Sequence, residues 1–233
     1  MTPISNLNAI LQDAYSLKYD WEAYGLQDVA ISTHKIGELI LTSGRIIACD
    51  PLIVPDVRYH LKKVVRPGTY PVIVSVADFQ PIGDTRFACA MLRINNEPTV
   101  KWEVALINEP DSAQADGRLA YGVDAGTGCF VDWDAAEMIA GLVSLEVRYP
   151  EKDEFEMFCD RVIVEMENNS FGKHPLTAGW ASMKVGDDTE ANIIAFSSGW
   201  GDGGYSSFWG YDASGNLSSL VTDFALFPDP SAA

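Results

Sequence analysis

Ala195-Phe-Ser-Ser-Gly-Trp-Gly-Asp-Gly-Gly-Tyr-Ser-Ser-Phe-Trp-Gly-Tyr-Asp-Ala-Ser-Gly-Asn-Leu-Ser-Ser-Leu-Val-Thr-Asp-Phe224 is the stretch whose reading decides the fold. Asp212-Ala213-Ser214-Gly215-Asn216 reads as a turn, because Asp bonds nearby backbone while Gly and Asn tolerate the left-handed conformation that a hairpin needs. The flanking segments, Ser207–Tyr211 and Leu217–Phe224, carry aromatic and β-branched residues and read as the two strands of that hairpin. Trp180–Val185 and Asn192–Ser197 read the same way, so residues 178–227 are expected to form antiparallel strands.

Upstream the apolar period changes. Phe155, Phe158, Cys159, Val162, Ile163 and Met166 recur at helical spacing, which predicts a helix with one face on a sheet. Asp134 and Glu137 make a capping box, and Trp133 and Met138 a hydrophobic staple, so a second helix is predicted to start near Asp134. These two helices and the Gly-rich turn before them occupy residues 121–168. Residues 108–120 are polar and acidic and read as an exposed loop. Between 35 and 107 the segments Lys35–Leu41, Arg45–Ala48, Tyr70–Ala77, Arg86–Ile94 and Thr99–Ile107 are β-rich, predicting a meander whose first connection is a hairpin through Thr42-Ser43-Gly44. Leu7, Ile10, Leu11, Ala14 and Leu17, with Ser5 as N-cap, predict an N-terminal helix within residues 1–20, and 228–233 reads as a frayed tail. The expected fold is a single α+β domain dominated by antiparallel sheet, sandwich-like or a meander, with an N-terminal helix and two central helices.

Composition narrows the function classes. The 233 residues are 47% hydrophobic, enough for a buried core, and 33 acidic residues against 16 Lys and Arg give a net charge of −17. Such a surface repels nucleic acid and anionic membranes at long range and attracts a basic protein or a cation. The N-terminus has no basic stretch followed by an apolar run, and no segment reads as membrane-spanning, so a soluble cytoplasmic protein is expected. Cys49, Cys89, Cys129 and Cys159 lie far apart in apolar contexts without a CxxC pair. Reduced, buried thiols follow more readily than a disulfide framework or a zinc site.

Four segments carry a family resemblance: Gly44-Arg45-Ile46-Ile47-Ala48-Cys49-Asp50-Pro51-Leu52, Pro67-Gly68-Thr69-Tyr70-Pro71-Val72, Tyr121-Gly122-Val123-Asp124-Ala125-Gly126-Thr127-Gly128-Cys129-Phe130, and Ala195–Phe224. In order and wording, from about Gly37 to Phe227, the chain resembles the bacterial family catalogued as Domain of Unknown Function 4241. The resemblance implies no activity, and it does not extend to the N-terminal helix or to Arg148–Lys184.

Several chemistries can be weighed on particular residues. Val123 to Gly128 resembles the first phosphate-binding hairpin of the actin and sugar-kinase superfamily, where glycines expose backbone N–H donors and Thr127 adds a hydroxyl. That fold needs two α/β domains, and its motif opens the first of them. An aspartic-protease Asp-Thr-Gly is missed because Ala125 follows Asp124. Ala195, Ser197 and Gly199 spell part of a nucleophile elbow, but no helix can start in Trp200-Gly201-Asp202-Gly203-Gly204, and none of His34, His60 or His174 is marked as a base. Asp212, Ser214, Asn216, Ser218 and Asp223 fall on calcium-loop spacing, yet Leu217 stands where the loop needs Gly. An oxygen-only cation site for Mg²⁺ or Ca²⁺ remains, drawn from Asp50, Asp124, Thr127, Asp132, Asp202 and Asp223. Trp200, Tyr205, Phe208, Trp209 and Tyr211 are candidates for an aromatic pocket or interface, against the plainer reading as core.

The reading that these features favour is a binding protein without a required cofactor, directed at another protein, with one version an immunity-like role against a basic toxin. The alternative is a divalent-cation-dependent enzyme acting on a phosphorylated or nucleotide-like substrate, with Asp124 and Asp202 as ligands and Gly126 to Gly128 as the phosphate cradle.

Overall fold

The computed structural model describes residues 29–80, 83–108, 120–148, 154–174 and 177–226. Two antiparallel sheets and a helix pair form three layers. The larger sheet has the order β1 (Val29–Leu41), β3 (Gly68–Phe79), β4 (Asp84–Arg93), β11 (Leu217–Asp223), β10 (Gly203–Tyr211), β5 (Lys101–Val104), with β6 (Tyr121–Val123) also paired to β10. The smaller has the order β2 (Ile46–Cys49), β7 (Thr127–Asp132), β9 (Asn192–Ser197), β8 (Trp180–Lys184). Helices α1 (Trp133–Arg148) and α2 (Glu154–Asn168) cover the outer face of the smaller sheet.

Period-two alternation explains which side chains meet. Trp209 opposes Leu220 and faces the other sheet, while its neighbour Phe208 opposes Val221 on the outer face. Leu39, Phe87, Phe130, Phe196, Trp209 and Leu220 pack between the sheets, all buried, and such burial of apolar area is the main stabilising term. Across the smaller sheet, Ile47, Val131, Ile193 and Ala195 meet Ile139 of α1 and Phe158, Val162 and Met166 of α2, the i, i+4, i+8 face predicted for that helix. Asn192 ties the two sheets at their edge. Its Oδ1 accepts from Ile40 N at 2.9 Å and its Nδ2 donates to Glu38 O at 2.7 Å, satisfying β1 backbone that has no strand there.

The sandwich form of the predicted fold is the one adopted, and three local expectations are corrected. Thr42-Ser43-Gly44 is not a hairpin connection: β1 pairs with β3 and β2 with β7, so the turn carries the chain from one sheet to the other. The cause lies 88 to 90 residues away, where the Asp132 carboxylate gathers the donors of that turn. Residues 35–107 do not form one meander either, because the β10–β11 hairpin inserts between β4 and β5. The Asn95–Pro98 link instead wraps the hairpin end: Asn95 N donates to Ser218 O, its side-chain amide to Leu217 O and Asp212 Oδ2, and Val100 N to Tyr211 O. Finally, the helix expected near Asp134 starts at Trp133, but its cap is Asp132, whose Oδ1 accepts from Asp134 N at 3.0 Å, rather than Asp134 itself. Trp133 is held by Arg45, 3.9 Å above its ring, and by a bond from its indole N–H to Val57 O, not by Met138, which is exposed. The predicted N-terminal helix and frayed tail lie outside the described residues, as do residues 109–119 of the loop expected over 108–120. No helix among the described residues is long and apolar enough to cross a membrane.

Candidate functional site

Between β6 and β7 the chain leaves the larger sheet and joins the smaller one, and the turn Asp124–Gly126 makes that passage. Successive backbone N–H groups converge there, as expected for a Gly-bearing nest. Gly126 has φ +61°, a conformation that costs a side-chain-bearing residue more than glycine. Two carboxylates from elsewhere fill the nest. Asp50, one residue beyond β2, places Oδ2 at 3.0 Å from Asp124 N and 2.8 Å from Ala125 N, while its Oδ1 takes Leu52 N at 2.9 Å. Asp202 places Oδ1 at 2.9 Å from Gly126 N. The donors that the phosphate-cradle reading required are therefore engaged by the protein's own anions, in the charge-assisted bonds that a phosphate would otherwise make. Thr127 is buried and turns its hydroxyl back to Ala125 O at 3.2 Å.

The loop after β9 meets this turn. Ser198 N donates to Gly126 O at 3.0 Å, and Gly201 N to Ser198 O at 2.8 Å. The Tyr205 hydroxyl lies 2.6 Å from Gly201 O and 3.0 Å from Ser198 O, and burial raises its pKa. Gly199, at φ +55°, approaches the C-terminal strand so closely that a Cβ would lie 2.8 Å from Phe224 Cβ. This scaffold projects Trp200, which is 53% exposed. Its ring lies 5.6 Å from that of Phe79 and 5.2 Å from the Arg86 guanidinium. Arg86 is itself fixed, by Asp84 at 2.9 Å and by Gly199 O at 3.3 Å. Beside the Trp lies a hollow of about 410 Å³ lined by Arg86, Gly126, Thr127, Gly199, Ile163 and Met166. Asp124 and Asp202, which belong to the two loops that meet here, are both exposed.

The structure thus brings Asp50, Asp124, Thr127 and Asp202 together and leaves the other two acids apart. Asp132 ends β7 at the strand's opposite end, 1% exposed, and accepts from Thr42 Oγ1, Ser43 N and Oγ, Gly44 N and Asp134 N. Asp223 lies on the outer face of the larger sheet, bonded to Ala225 N at 2.9 Å and close to Cys89 Sγ at 3.9 Å. Burial pushes its pKa up to about 6. Among the described residues no group of three or more His, Cys, Asp or Glu is arranged to hold a metal ion. The aromatic set divides as well. Tyr205, Phe208 and Trp209 are buried and Tyr211 packs against the core, so the plainer reading holds for four of the five; Trp200 alone is presented.

Arg86 and Ser198 are the residues of this region that sequence reasoning missed. Nothing in the run Thr85-Arg86-Phe87 marks an arginine that crosses to a loop 113 residues later. The Ser198-to-Gly126 bond likewise becomes visible only once β7 and β9 are known to pair.

The chain belongs to the family described as Protein of unknown function (DUF4241), whose model matches residues 39–222. No curated protein and no solved structure gives a match.

Proposed function

We propose that this is a soluble, cytoplasmic binding protein that engages a basic protein partner through the rim formed by Asp124, Trp200 and Asp202. The supporting observation is Trp200: a large aromatic side chain, 53% exposed, whose ring lies against Arg86 and whose neighbours Gly199 and Gly201 are hydrogen-bonded on either side. Rigid Trp anchors lose little conformational entropy on binding and recur as interface hot spots. The exposed Asp202, two residues along the chain from Trp200, and the exposed Asp124 of the adjoining turn, on a chain of net charge −17, fit a partner with a basic patch around an apolar pocket. An immunity-like role against a basic toxin is the version of this reading that the charge favours. The cation-dependent enzyme is the weaker reading because its proposed cradle already holds Asp50 and Asp202.

The test compares proteins co-purified with wild type, Trp200→Ala and Asp202→Lys. A partner of high isoelectric point should be lost roughly tenfold or more with Trp200→Ala, should fall with Asp202→Lys, and should weaken between about 0.05 and 0.5 M salt. Equal recovery by all three proteins removes the rim from any interface.

A further inference from the structure

We propose that Cys49 and Cys129 are a modification site: a thiol pair that hydrogen peroxide, a two-electron oxidant, closes to a disulfide. The two residues are direct register partners on adjacent antiparallel strands, β2 and β7, and their Sγ atoms lie 3.6 Å apart. Antiparallel register partners have Cα separations of about 4.5 or 5.5 Å, both inside the range a disulfide spans. Closing the S–S bond therefore needs a side-chain adjustment of an ångström or two and no strand movement. Neither Cys89 nor Cys159 has another cysteine as a register partner, so the pairing is specific.

The two thiols are unequal in a way that gives the reaction a direction. Cys129 is fully buried, and burial together with Cys49 raises its pKa well above that of an ordinary thiol. Cys49 is half-buried and lines a hollow of about 150 Å³ with Asp50, Asp56, Tyr59 and Tyr121, wide enough for a two-oxygen molecule. Cys49 Sγ attacks one peroxide oxygen and the O–O bond breaks. The departing hydroxide takes the Cys49 proton and leaves as water, so Cys49 becomes a sulfenic acid. Cys129 Sγ then attacks the Cys49 sulfur, the S–O bond breaks, and the leaving hydroxide takes the Cys129 proton as a second water. Two thiols lose two electrons, which reduce one peroxide to two waters.

The inference is independent of the binding reading. Its structural consequence lies next door: the closed pair clamps the end of β2, from which Asp50 reaches the Asp124–Gly126 turn.

The experiment uses the folded full chain treated with stoichiometric peroxide, then denatured and alkylated. Wild type should go from four titratable thiols to two, and a peptide map without reductant should find Cys49 joined to Cys129. The double variant Cys89→Ser/Cys159→Ser should go from two thiols to none and lose the mass of two hydrogens. Cross-linking a loop of 80 residues should raise the melting temperature by roughly 5–15 °C, reversed by dithiothreitol. Four thiols persisting, Cys49 proceeding to sulfinic acid, or a bond joining any other two cysteines or two chains overturns the proposal.

Discussion

The two ends of strand β7 use the same device for different ends. At one end Asp132 receives the donors of the Thr42–Gly44 turn and the first turn of α1, and it is almost wholly buried. At the other, Asp50 receives Asp124 N and Ala125 N and is also buried, but two further carboxylates, Asp124 and Asp202, remain at the surface, where the adjoining loop also exposes Trp200. In both places an anion replaces the strand partner that converging N–H groups lack, which is how irregular backbone escapes the cost of unmet donors. The difference is surplus. The Asp132 end is closed, whereas the Gly126 end leaves the exposed Asp124 carboxylate and an aromatic ring that its own turn does not consume, and keeps Asp202 exposed although one of its oxygens takes Gly126 N.

The strongest way to break that contrast is Asp132→Asn. Each carboxylate oxygen faces at least two donors: Thr42 Oγ1, Ser43 N and Asp134 N approach Oδ1, and Ser43 N, Ser43 Oγ and Gly44 N approach Oδ2. An amide cannot keep both sides, because its NH₂ must point at donors and leave them buried and unmet. A loss of about 3 kcal/mol or more in urea unfolding is expected. A loss under about 1 kcal/mol would mean that the turn is not organised by this residue.

Asp223 sharpens the comparison as a half-buried carboxylate with too few donors. Against the five donor groups around Asp132, it has Ala225 N and the weak Cys89 thiol, and burial lifts its pKa from 3.8 to about 6. Because the folded pKa is the higher one, the stability it contributes is full below about pH 4 and is lost as pH rises through about 6. Asp223→Asn keeps an acceptor for Ala225 N and removes the ionisation. Relative to wild type the variant should gain about 1–2 kcal/mol between pH 4 and pH 7, less than the full shift implies because Asp223 is not wholly enclosed. A constant gap across that range, or one that shrinks as pH rises, contradicts the assignment.

What the sequence discloses follows the range of the force involved. The helix over Phe158, Val162 and Met166 and the hairpin around Asp212–Asn216 are legible because periodicity and turn chemistry act within a few residues. Gly215, at φ +82°, and the two bonds that Asp212 Oδ1 accepts from Ser214 N and Asn216 N are the turn that those residue types require. Sheet membership is not legible. Alternation tells which face a side chain takes but not which strand lies beside it, so Thr42–Gly44 looks like a hairpin until Asp132 arrives from 88 residues away. The candidate acids show the same limit. Asp50, Asp124 and Asp202 are conspicuous beside turn residues, but that Asp50 would occupy the N–H groups of the Asp124 loop depends on the pairing of β2 with β7. The Cys49–Cys129 register is hidden for the same reason.

The smallest expected effects, at Asp124 and Asp202, decide whether the surplus charge serves a partner or a cation. Asp202→Asn retains an oxygen for Gly126 N, and Asp124 offers its backbone N–H rather than its carboxylate to Asp50, so each substitution should change stability by less than about 0.5 kcal/mol. If the rim meets a basic protein, removing one rim charge should slow association by only a few fold and leave dissociation nearly unchanged, since the Trp anchor is intact. A cation held by these two carboxylates behaves differently. It stabilises only the folded state, so about 5 mM Mg²⁺ or Ca²⁺ would raise the wild-type melting temperature by mass action, and either substitution would abolish the rise. The expected result is no shift in wild type and none in the variants. A rise seen in wild type and lost in both would transfer the Gly126 end of β7 from recognition to metal binding and reinstate the enzyme reading.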